Sequence, residues 1–397
     1  TVVDVSALTS EVVGFDAFDG RRDELAASGV VLKKGVNPST DLEPEYIAVS
    51  GGKAYITLQE NNAIAVLDLT SRTFDGIYSA GFEDYGVTPV DIDKKDDAYA
   101  PKTYGGLMGI RMPDAIAAFQ AEGKTYLVTA NEGDAREWGD EDLGTFYLNE
   151  DERDFGDEGV TSPTGAITAE NSGLTGKVVF FKSGDFDGLD TGKDYLFGGR
   201  TFTLYEAGAD GLTEVFTSGD DFEALTAQYL PDYYNCSNDN AVVDDRSGKK
   251  GPEAESVTVG TVDGRTYAFV ALERTGGVMV YDVTEPASAQ YVNYINTRDF
   301  ASVVEGSEEY EDGELDKWVT GGDVAPEGLL FLDASVSPTG EALLLAACEV
   351  SGTVAVYQVG GAALSVLPFT DVDARDVQAV RYVCVSGLMA GISADRF

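Results

Sequence analysis

Three consecutive segments decide the fold: 44–50 (PEYIAVS), 53–60 (KAYITLQE) and 63–68 (AIAVLD). The first segment carries an acid, Glu45, at its start, and the second is an apolar run that ends on another acid, Glu60. A turn containing glycine separates the first two segments, and the third alternates in the manner of a half-buried strand. This order predicts antiparallel strands joined by hairpins.

The same layout returns three more times along the chain. The corresponding segments are 113–118 with 124–133, then 255–259 with 265–274 and 277–282, and finally 326–331 with 342–350 and 352–358. The repetition predicts an all-β fold, a β-propeller of antiparallel four-stranded blades, whose ring can be incomplete within this chain. Helical periodicity is nearly absent, and it is strongest at 114–121 and 221–229.

Length and composition favour one large domain. The chain has 397 residues, of which 43% are hydrophobic, so it can bury a sizeable core. We expect a β-propeller domain over 1–362, with long acidic insertions at 91–101, 138–163 and 298–323. A distinct segment then occupies 363–397.

The charge balance is strongly acidic. Lys and Arg number 27 against 70 Asp and Glu, which gives a formal net charge of −43. Such a surface repels nucleic acid and anionic lipid, so neither is an expected partner. Two interpretations stay open: solubility in a salty or extracellular setting, and binding of divalent cations. No apolar run is long enough for a membrane span, and we expect no membrane insertion.

Histidine is absent from the whole sequence. This excludes Ser-His-Asp and Cys-His nucleophile systems and imidazole metal ligands. The cysteines, Cys236, Cys348 and Cys384, have no spacing typical of a zinc site, and we expect free thiols. Any chemistry must come from carboxylates, Arg, Lys, Tyr or a metal-bound water.

Acids recur in pairs at the same two positions of each repeat. The pairs are Glu45 with Glu60, Asp114 with Glu132, Glu255 with Glu273, and Glu327 with Glu349. Equivalent positions of successive blades lie around one axis, so these acids should line the channel or one rim. Like charges so placed need compensation, and Arg136 and Arg274 are the candidate counter-ions. A structural Arg/Glu network and a metal-binding or catalytic ring both remain open.

Two further stretches have the carboxylate density of calcium loops, and Ca²⁺ is the expected cofactor. The candidate ligands are Asp185, Asp187 and Asp190 in one turn, and Asp91, Asp93, Asp96 and Asp97 in the first acidic insertion. The first turn lacks the closing Glu of an EF-hand, and a solvated Asp/Gly hairpin turn is the alternative.

Five strings resemble the choice-of-anchor I family, which includes mesenchyme-specific cell-surface glycoproteins. They are 41–50 (DLEPEYIAVS), 58–66 (LQENNAIAV), 129–136 (TANEGDAR), 272–282 (LERTGGVMVYD) and 349–357 (EVSGTVAVY). The resemblance implies a secreted β-propeller tethered by one of several kinds of anchor. It also implies that earlier blades precede residue 1, so that an N-terminal segment elsewhere would complete the propeller.

The tail has a second resemblance. Residues 367–397 (LPFTDVDARDVQAVRYVCVSGLMAGISADRF) look like the opening of an S-layer homology module, with a short helix near 377–386. The resemblance implies a bacterial, extracellular, cell-wall-attached protein, and a complete module would bind cell-wall polysaccharide. The chain ends before the module would be complete.

Two classes of function follow. The first is a non-catalytic surface protein that binds calcium or a surface ligand. The second resembles the propeller phytases and alkaline phosphatases: a calcium-dependent phosphoesterase, in which carboxylate-held calcium activates water. This second class also needs Lys or Arg side chains converging on the phosphate, and no convincing cluster of them is visible in the sequence.

Overall fold

The computed structural model describes residues 9–300 and 321–364, together with the single residues 380 and 396. In chain order the strands of this part are β1 (Leu32–Lys33), β2 (Ile47–Ser50), β3 (Lys53–Leu58), β4 (Ala63–Asp68), β5 (Thr73–Ser79), β6 (Phe82–Asp84), β7 (Leu107–Ile110), β8 (Ile116–Ala121), β9 (Lys124–Asn131), β10 (Glu137–Trp138), β11 (Tyr147–Leu148), β12 (Glu150–Asp154), β13 (Lys177–Phe181), β14 (Phe186–Asp187), β15 (Asp194–Phe197), β16 (Thr201–Gly208), β17 (Gly211–Thr217), β18 (Ala254–Val262), β19 (Arg265–Leu272), β20 (Val278–Asp282), β21 (Gln290–Ile295), β22 (Pro326–Leu332), β23 (Leu343–Cys348) and β24 (Thr353–Gln358). The helices are α1 (Arg22–Ala27), α2 (Pro38–Asp41), α3 (Ala169–Ser172) and α4 (Asp221–Tyr229), with 3₁₀ turns at Asp16–Arg21, Gln59–Asn61, Ser183–Asp185, Pro286–Ser288 and Gly361–Leu364.

Four antiparallel sheets repeat along the chain, which confirms the all-β, propeller-like fold. Their strand orders are β2-β3-β4-β5, β8-β9-β16-β17, β18-β19-β20-β21 and β22-β23-β24. In the first three sheets a two-residue turn joins the first two strands, and both turn residues have positive φ. The turn residues are Gly51 and Gly52, Glu122 and Gly123, and Asp263 and Gly264. This is the type I′ geometry that matches the twist of a hairpin.

Successive sheets pack face to face and bury one core between each pair. Tyr205 lies in the core between the first two sheets, Phe202 in the core between the second and third, and Phe269 in the core between the third and fourth. The first strands are neighbours too, since β2 contacts β8, β8 contacts β18 and β18 contacts β22. No closed ring of sheets is detected among the described residues.

A long insertion interrupts the second sheet. Its second strand, β9, ends at Asn131, and its third, β16, begins only at Thr201. The insertion contains β10 to β15, which form small sheets, including a parallel pair of β15 with β7. These sheets bury their own aromatic cores, one of them around Phe155 and Phe180 and another around Phe181 and Phe197.

Of the two predicted helices, one is a helix in the structure and the other is a strand. Residues 221–229 form α4, which buries Phe222, Glu223 and Thr226. Residues 114–121 are not helical: the prediction is wrong, because β8 pairs in register with β9. Eight residues supply too few helical hydrogen bonds to compete with a full ladder closed by a tight turn.

Part of the predicted organisation lies outside the described residues. This holds for most of the segment 363–397, with its S-layer homology resemblance and Cys384, and for 301–320 of the third insertion. Cys236 and Cys348 are buried free thiols, as expected. Among the described helices, none has both the length and the apolar character needed to cross a bilayer.

Candidate functional site

Seven carboxylates gather where the first strands of the sheets meet, and we call them the central acid cluster. They form three overlapping sets whose ligand atoms lie within 4.8 Å of one another in each set. The sets are Asp114, Glu132 and Glu255; Glu132, Glu253 and Glu273; and Glu273, Glu327 and Glu349. Since Glu132 and Glu273 each belong to two sets, the carboxylates form one continuous group.

The repeated strands explain why these residues meet. Asp114 precedes β8, and its amide donates to the carbonyl of Ala130 at the end of β9 (3.0 Å). Register shifts in β18 and β22 occur at Glu255 and Glu327, so a bulge redirects the chain at each acid. The structure thus brings together the acids of the second, third and fourth repeats.

The acids of the first repeat lie beside this cluster and are not members of its sets. Glu45 is exposed and lies close enough to Asp114 to contribute, after burial, to the raised pKa of Asp114. Glu60 has a buried Oε2 without a hydrogen-bond partner in the described part of the chain. Burial, reinforced by Glu43 and Glu45, raises the pKa of Glu60 to about 7.

Burial disfavours the ionised form of the carboxyl groups in the central acid cluster. It raises the pKa of Asp114 to about 9 and that of Glu255 to about 11, with the neighbouring carboxylates adding to the shift. The pKa of Glu273 rises to about 8 and that of Glu132 to about 7 for the same reason. At neutral pH these groups must hold protons or cations.

Three basic side chains compensate part of this charge. Lys250 Nζ lies 2.6 Å from Glu132 Oε1 and 3.0 Å from Glu253 Oε2. Arg274 Nε lies 3.0 Å from Glu253 Oε2 and 3.2 Å from Glu273 Oε2, and Arg246 pairs with Glu253. Burial opposes ionisation of Glu253, but these cations hold its pKa well below the ordinary value. Among the described residues, seven carboxylates therefore face three cationic side chains.

Of the two candidate counter-ions, Arg274 pairs with acids of the central acid cluster and Arg136 pairs with acids near the first repeat. Arg136 is fully buried, and its Nη1 donates to Asp41 Oδ1 (2.5 Å) and lies 3.7 Å from Glu43 Oε1. Glu132 takes Lys250 as its partner instead. Gly133, at φ +81° and against the backbone of Gly198, turns the chain away after Glu132. Arg136 therefore lies beside the acids of the first repeat, where its charge opposes the rise in the pKa of Glu60.

The three carboxylates of the predicted calcium turn at 185–190 each have different hydrogen-bond partners. Asp185 Oδ2 accepts from Lys33 Nζ (3.3 Å) and from the hydroxyl of Tyr147 (2.9 Å). Asp187 Oδ2 accepts from Arg22 (2.7 Å), and Asp190 Oδ1 accepts from the amide of Gly192 (2.9 Å). The structure does not bring these three carboxylates together.

The four candidate ligands of the first acidic insertion do not lie together either. Asp91 and Asp96 lie with Asp244, from a distant part of the chain, with ligand atoms within 4.8 Å of one another. Asp93 turns elsewhere, and its Oδ2 accepts from the amide of Thr175 (3.0 Å). Asp97 is exposed and belongs to none of these groups.

A cluster of basic residues that sequence analysis missed borders the central acid cluster. Arg246, Lys249, Lys250 and Arg274 line a cavity of about 210 Å³, together with acidic and apolar residues. The run 246–250 (RSGKK) was the available signal, but Arg274 joins it only through tertiary packing.

The ligand set of the central acid cluster fits a hard divalent cation. Its potential ligand atoms are carboxylate oxygens, which calcium and magnesium prefer. Softer metals favour imidazole or thiolate, and the sequence has no histidine. The charge excess and the raised pKa values of its buried acids would both be relieved by such a cation.

Two known proteins are similar to this chain in sequence. The chain is 30% identical over 280 residues to a mesenchyme-specific cell surface glycoprotein of Strongylocentrotus purpuratus, covering 62% of this chain and 35% of that protein. It is 28% identical over 174 residues to gigasin-3a of Magallana gigas, covering 43% of this chain and 58% of that protein. The chain therefore spans between about a third and three fifths of the length of these relatives.

Likeness to solved structures is weak. A Bacteroides fragilis protein provisionally titled a 6-phosphogluconolactonase matches with a TM-score of 0.30 and 13% identity, over 81% of this chain and 68% of that one. The sequence profile of the choice-of-anchor I domain matches residues 1–286, well over half of the chain. With this match, the chain belongs to the choice-of-anchor I family.

Proposed function

We propose that this chain is a propeller-like module of a cell-surface protein and that its central acid cluster binds divalent cations, calcium foremost. One observation carries the proposal: seven mostly buried carboxylates form three overlapping sets, each with ligand atoms within 4.8 Å of one another, and the described residues supply three basic partners. Calcium takes six to eight oxygen ligands in flexible geometry, which suits side chains supplied by several strands.

Some residues of the cluster would bind the cation and others would position the ligands. Asp114, Glu255 and Glu327 would supply ligand oxygens from the first strands. Lys250 and Arg274 would hold Glu132 and Glu273 in place through the ion pairs described above. A bound cation would supply the positive charge that these carboxylates lack.

The proposed location is extracellular. One relative is named a cell surface glycoprotein, and the chain belongs to a family named for varied anchoring. Attachment to a bacterial cell wall, through polysaccharide bound by a completed S-layer homology module, remains a further proposal that rests on residues 367–397 alone. A partner segment that completes the propeller is likewise proposed from the resemblance.

A specific observation favours a second candidate function, metal-dependent hydrolysis of phosphoric esters. The cavity lined by Arg246, Lys249, Lys250 and Arg274 shares its basic side chains with the central acid cluster. Basic groups beside a carboxylate-held cation are the arrangement that phosphate binding requires. A cation bound there would lower the pKa of a coordinated water.

The first prediction tests cation binding. In calorimetric titrations of the metal-free protein with CaCl₂, Glu255→Gln and Glu273→Gln should each weaken binding by about tenfold or more, because each removes a ligand charge. Both variants should fold, because Gln is close to Glu in shape and neither substitution leaves an isolated buried charge. Exposed Glu158→Gln is the matched control and should bind like the wild type. Wild-type protein that takes up no calcium, or unchanged binding in both cluster variants, would overturn the proposal.

Hydrolysis of an aryl phosphate, with calcium and with chelator, distinguishes the two candidates. A turnover that requires calcium and is lost in Arg246→Met supports the phosphoesterase. Calcium binding without turnover supports the non-catalytic module.

A further inference from the structure

A second group of carboxylates lies where the first acidic insertion meets the segment 230–253. We call Asp91, Asp96 and Asp244 the loop acid site; their ligand atoms lie within 4.8 Å of one another. Asp91 and Asp244 are 1% and 0% exposed, while Asp96 is exposed. The site is therefore sealed on the protein side and open to solvent at Asp96. It shares no residue with the central acid cluster.

Asp244 provides the observation that points to a ligand. Its Oδ1 accepts a hydrogen bond from the hydroxyl of Ser247. Its Oδ2 is buried and has no hydrogen-bond donor within the described residues. Leaving a buried carboxylate oxygen without a donor or a cation carries a large desolvation cost.

No basic side chain of the described part of the chain forms an ion pair with the loop acid site. Lys94, in the same insertion, pairs with Asp245 instead (3.0 Å). Arg200 donates to the backbone carbonyl of Asp91, but its ion pair is with Glu223 (2.6 Å). The three carboxylates thus have no cationic side chain as an ion-pair partner in the described part of the chain.

Backbone amides fix the other two carboxylates. Asp91 Oδ2 accepts from the amide of Ala100 (2.7 Å) and Oδ1 from that of Asp93 (3.3 Å). Asp96 Oδ1 accepts from the amide of Ala98 (3.3 Å). Each oxygen has a second lone pair for a cation, so the ligands are positioned before the cation arrives.

We propose that Asp91, Asp96 and Asp244 bind one divalent cation, calcium, which fastens the acidic insertion to the segment 230–253. Three carboxylates and solvent on the open side match the oxygen coordination that calcium accepts. This site goes beyond the proposed function of the central acid cluster, because either site can bind without the other.

Two tyrosines beside the site provide a selective probe. The rings of Tyr99 and Tyr234 lie 5.2 Å apart, and Tyr234 is buried with its hydroxyl unpaired in the described residues. Asp91 lies close enough to help burial and Glu223 raise the pKa of Tyr234. Terbium, which replaces calcium at oxygen sites, should therefore show tyrosine-sensitised luminescence here.

The second prediction tests the loop acid site with TbCl₃ and CaCl₂ on the full chain. Asp244→Asn and Asp96→Asn should each remove one equivalent of calcium and the luminescence sensitised by Tyr234, which Tyr234→Phe identifies. Asp97→Asn is the matched control, since it removes the same charge from an exposed neighbour outside the site. Asp96 is exposed, so its variant should fold even where Asp244→Asn does not.

Wild-type stoichiometry and luminescence in both Asp96→Asn and Asp244→Asn would overturn the proposal, as would an equal loss in Asp97→Asn. The outcome is distinguishable from failure of the central acid cluster. Glu255→Gln should weaken binding there and leave the Tyr234 signal intact.

Discussion

At the scale of single residues, an unusual backbone conformation recurs two positions before the acids Asp114, Glu255 and Glu327. The residues that adopt it are Met112 (φ 47°), Glu253 (φ 54°) and Ala325 (φ 58°). Non-glycine residues rarely adopt a left-handed φ, and it persists only where surrounding structure enforces it. Its recurrence in three sheets shows that the chain turns in the same way before each of these three acids.

Arg136 tests how much one buried charge contributes to stability. Arg136→Met would leave Asp41, which is 3% exposed, without its cation. Breaking a buried pair by removing one partner costs about 3–5 kcal/mol, so we expect a loss of that order in the free energy of unfolding. Urea unfolding followed by circular dichroism measures it.

The matched control is Arg21→Met, which removes an exposed pair with Glu24 and should lower the free energy of unfolding far less. Equal losses in the two variants would contradict the prediction.

At the scale of secondary-structure elements, type I′ turns fix the pairing of the first two strands in each full sheet. In the third sheet the turn joins β18 to β19 and pairs Val262 with Arg265. Because a one-residue slip would move every side chain to the opposite face, the turn also decides which face reaches the core. Glu255, the acid of β18, lies at the far end of this strand, in the register shift between Ala254 and Val257.

Gly264→Ala tests this turn. Gly264 has φ +79°, and an added Cβ would meet no atom within 4 Å, so the substitution probes backbone strain alone. We expect a loss of about 1–2 kcal/mol in the free energy of unfolding, the cost of a left-handed L-residue.

Gly105→Ala is the control, because it also has open space but no left-handed φ. There the substitution should stabilise the protein by up to about 1 kcal/mol through the unfolded state. Two changes of the same sign would contradict the assignment of strain to Gly264.

At the scale of the whole molecule, the buried acids make stability depend on pH and on calcium together. The pKa of Glu255, Asp114 and Glu273 rises to about 11, 9 and 8, from ordinary values of 4.5, 3.8 and 4.5. The folded state therefore binds more protons than the unfolded state between these limits, and the free energy of unfolding falls as pH rises.

We expect the metal-free protein to lose stability steadily from about pH 5 to about pH 9, and calcium to restore it at the alkaline end by mass action. Urea unfolding at successive pH values, with chelator and with CaCl₂, measures this. In chelator, Glu255→Gln should reduce the fall of the free energy of unfolding with pH by up to about 1.4 kcal/mol per pH unit. Stability that is constant or rising over this range in chelator would contradict the prediction.

Local patterns in the sequence determined the strands and the family. Alternation and turn residues at 44–68 predicted the first sheet, and the strings that include 129–136 and 272–282 pointed to the family that the profile match shows. The segment 221–229 was predicted as a helix and is one. Strands, tight turns and short helices depend on residues close together in the sequence, so the sequence pattern alone can predict them.

Tertiary structure alone decided the partners within the sites. Lys250 lies 118 residues from Glu132, and Asp244 lies more than a hundred residues from Asp91, so no local pattern pairs them. The same holds for Arg136, a candidate counter-ion of the repeated acids, whose partner in the fold is Asp41, 95 residues away. Strand periodicity specifies which side chains share a face, whereas the packing of sheets and insertions specifies which distant charges meet, because burial makes unpaired charge too costly to leave in place.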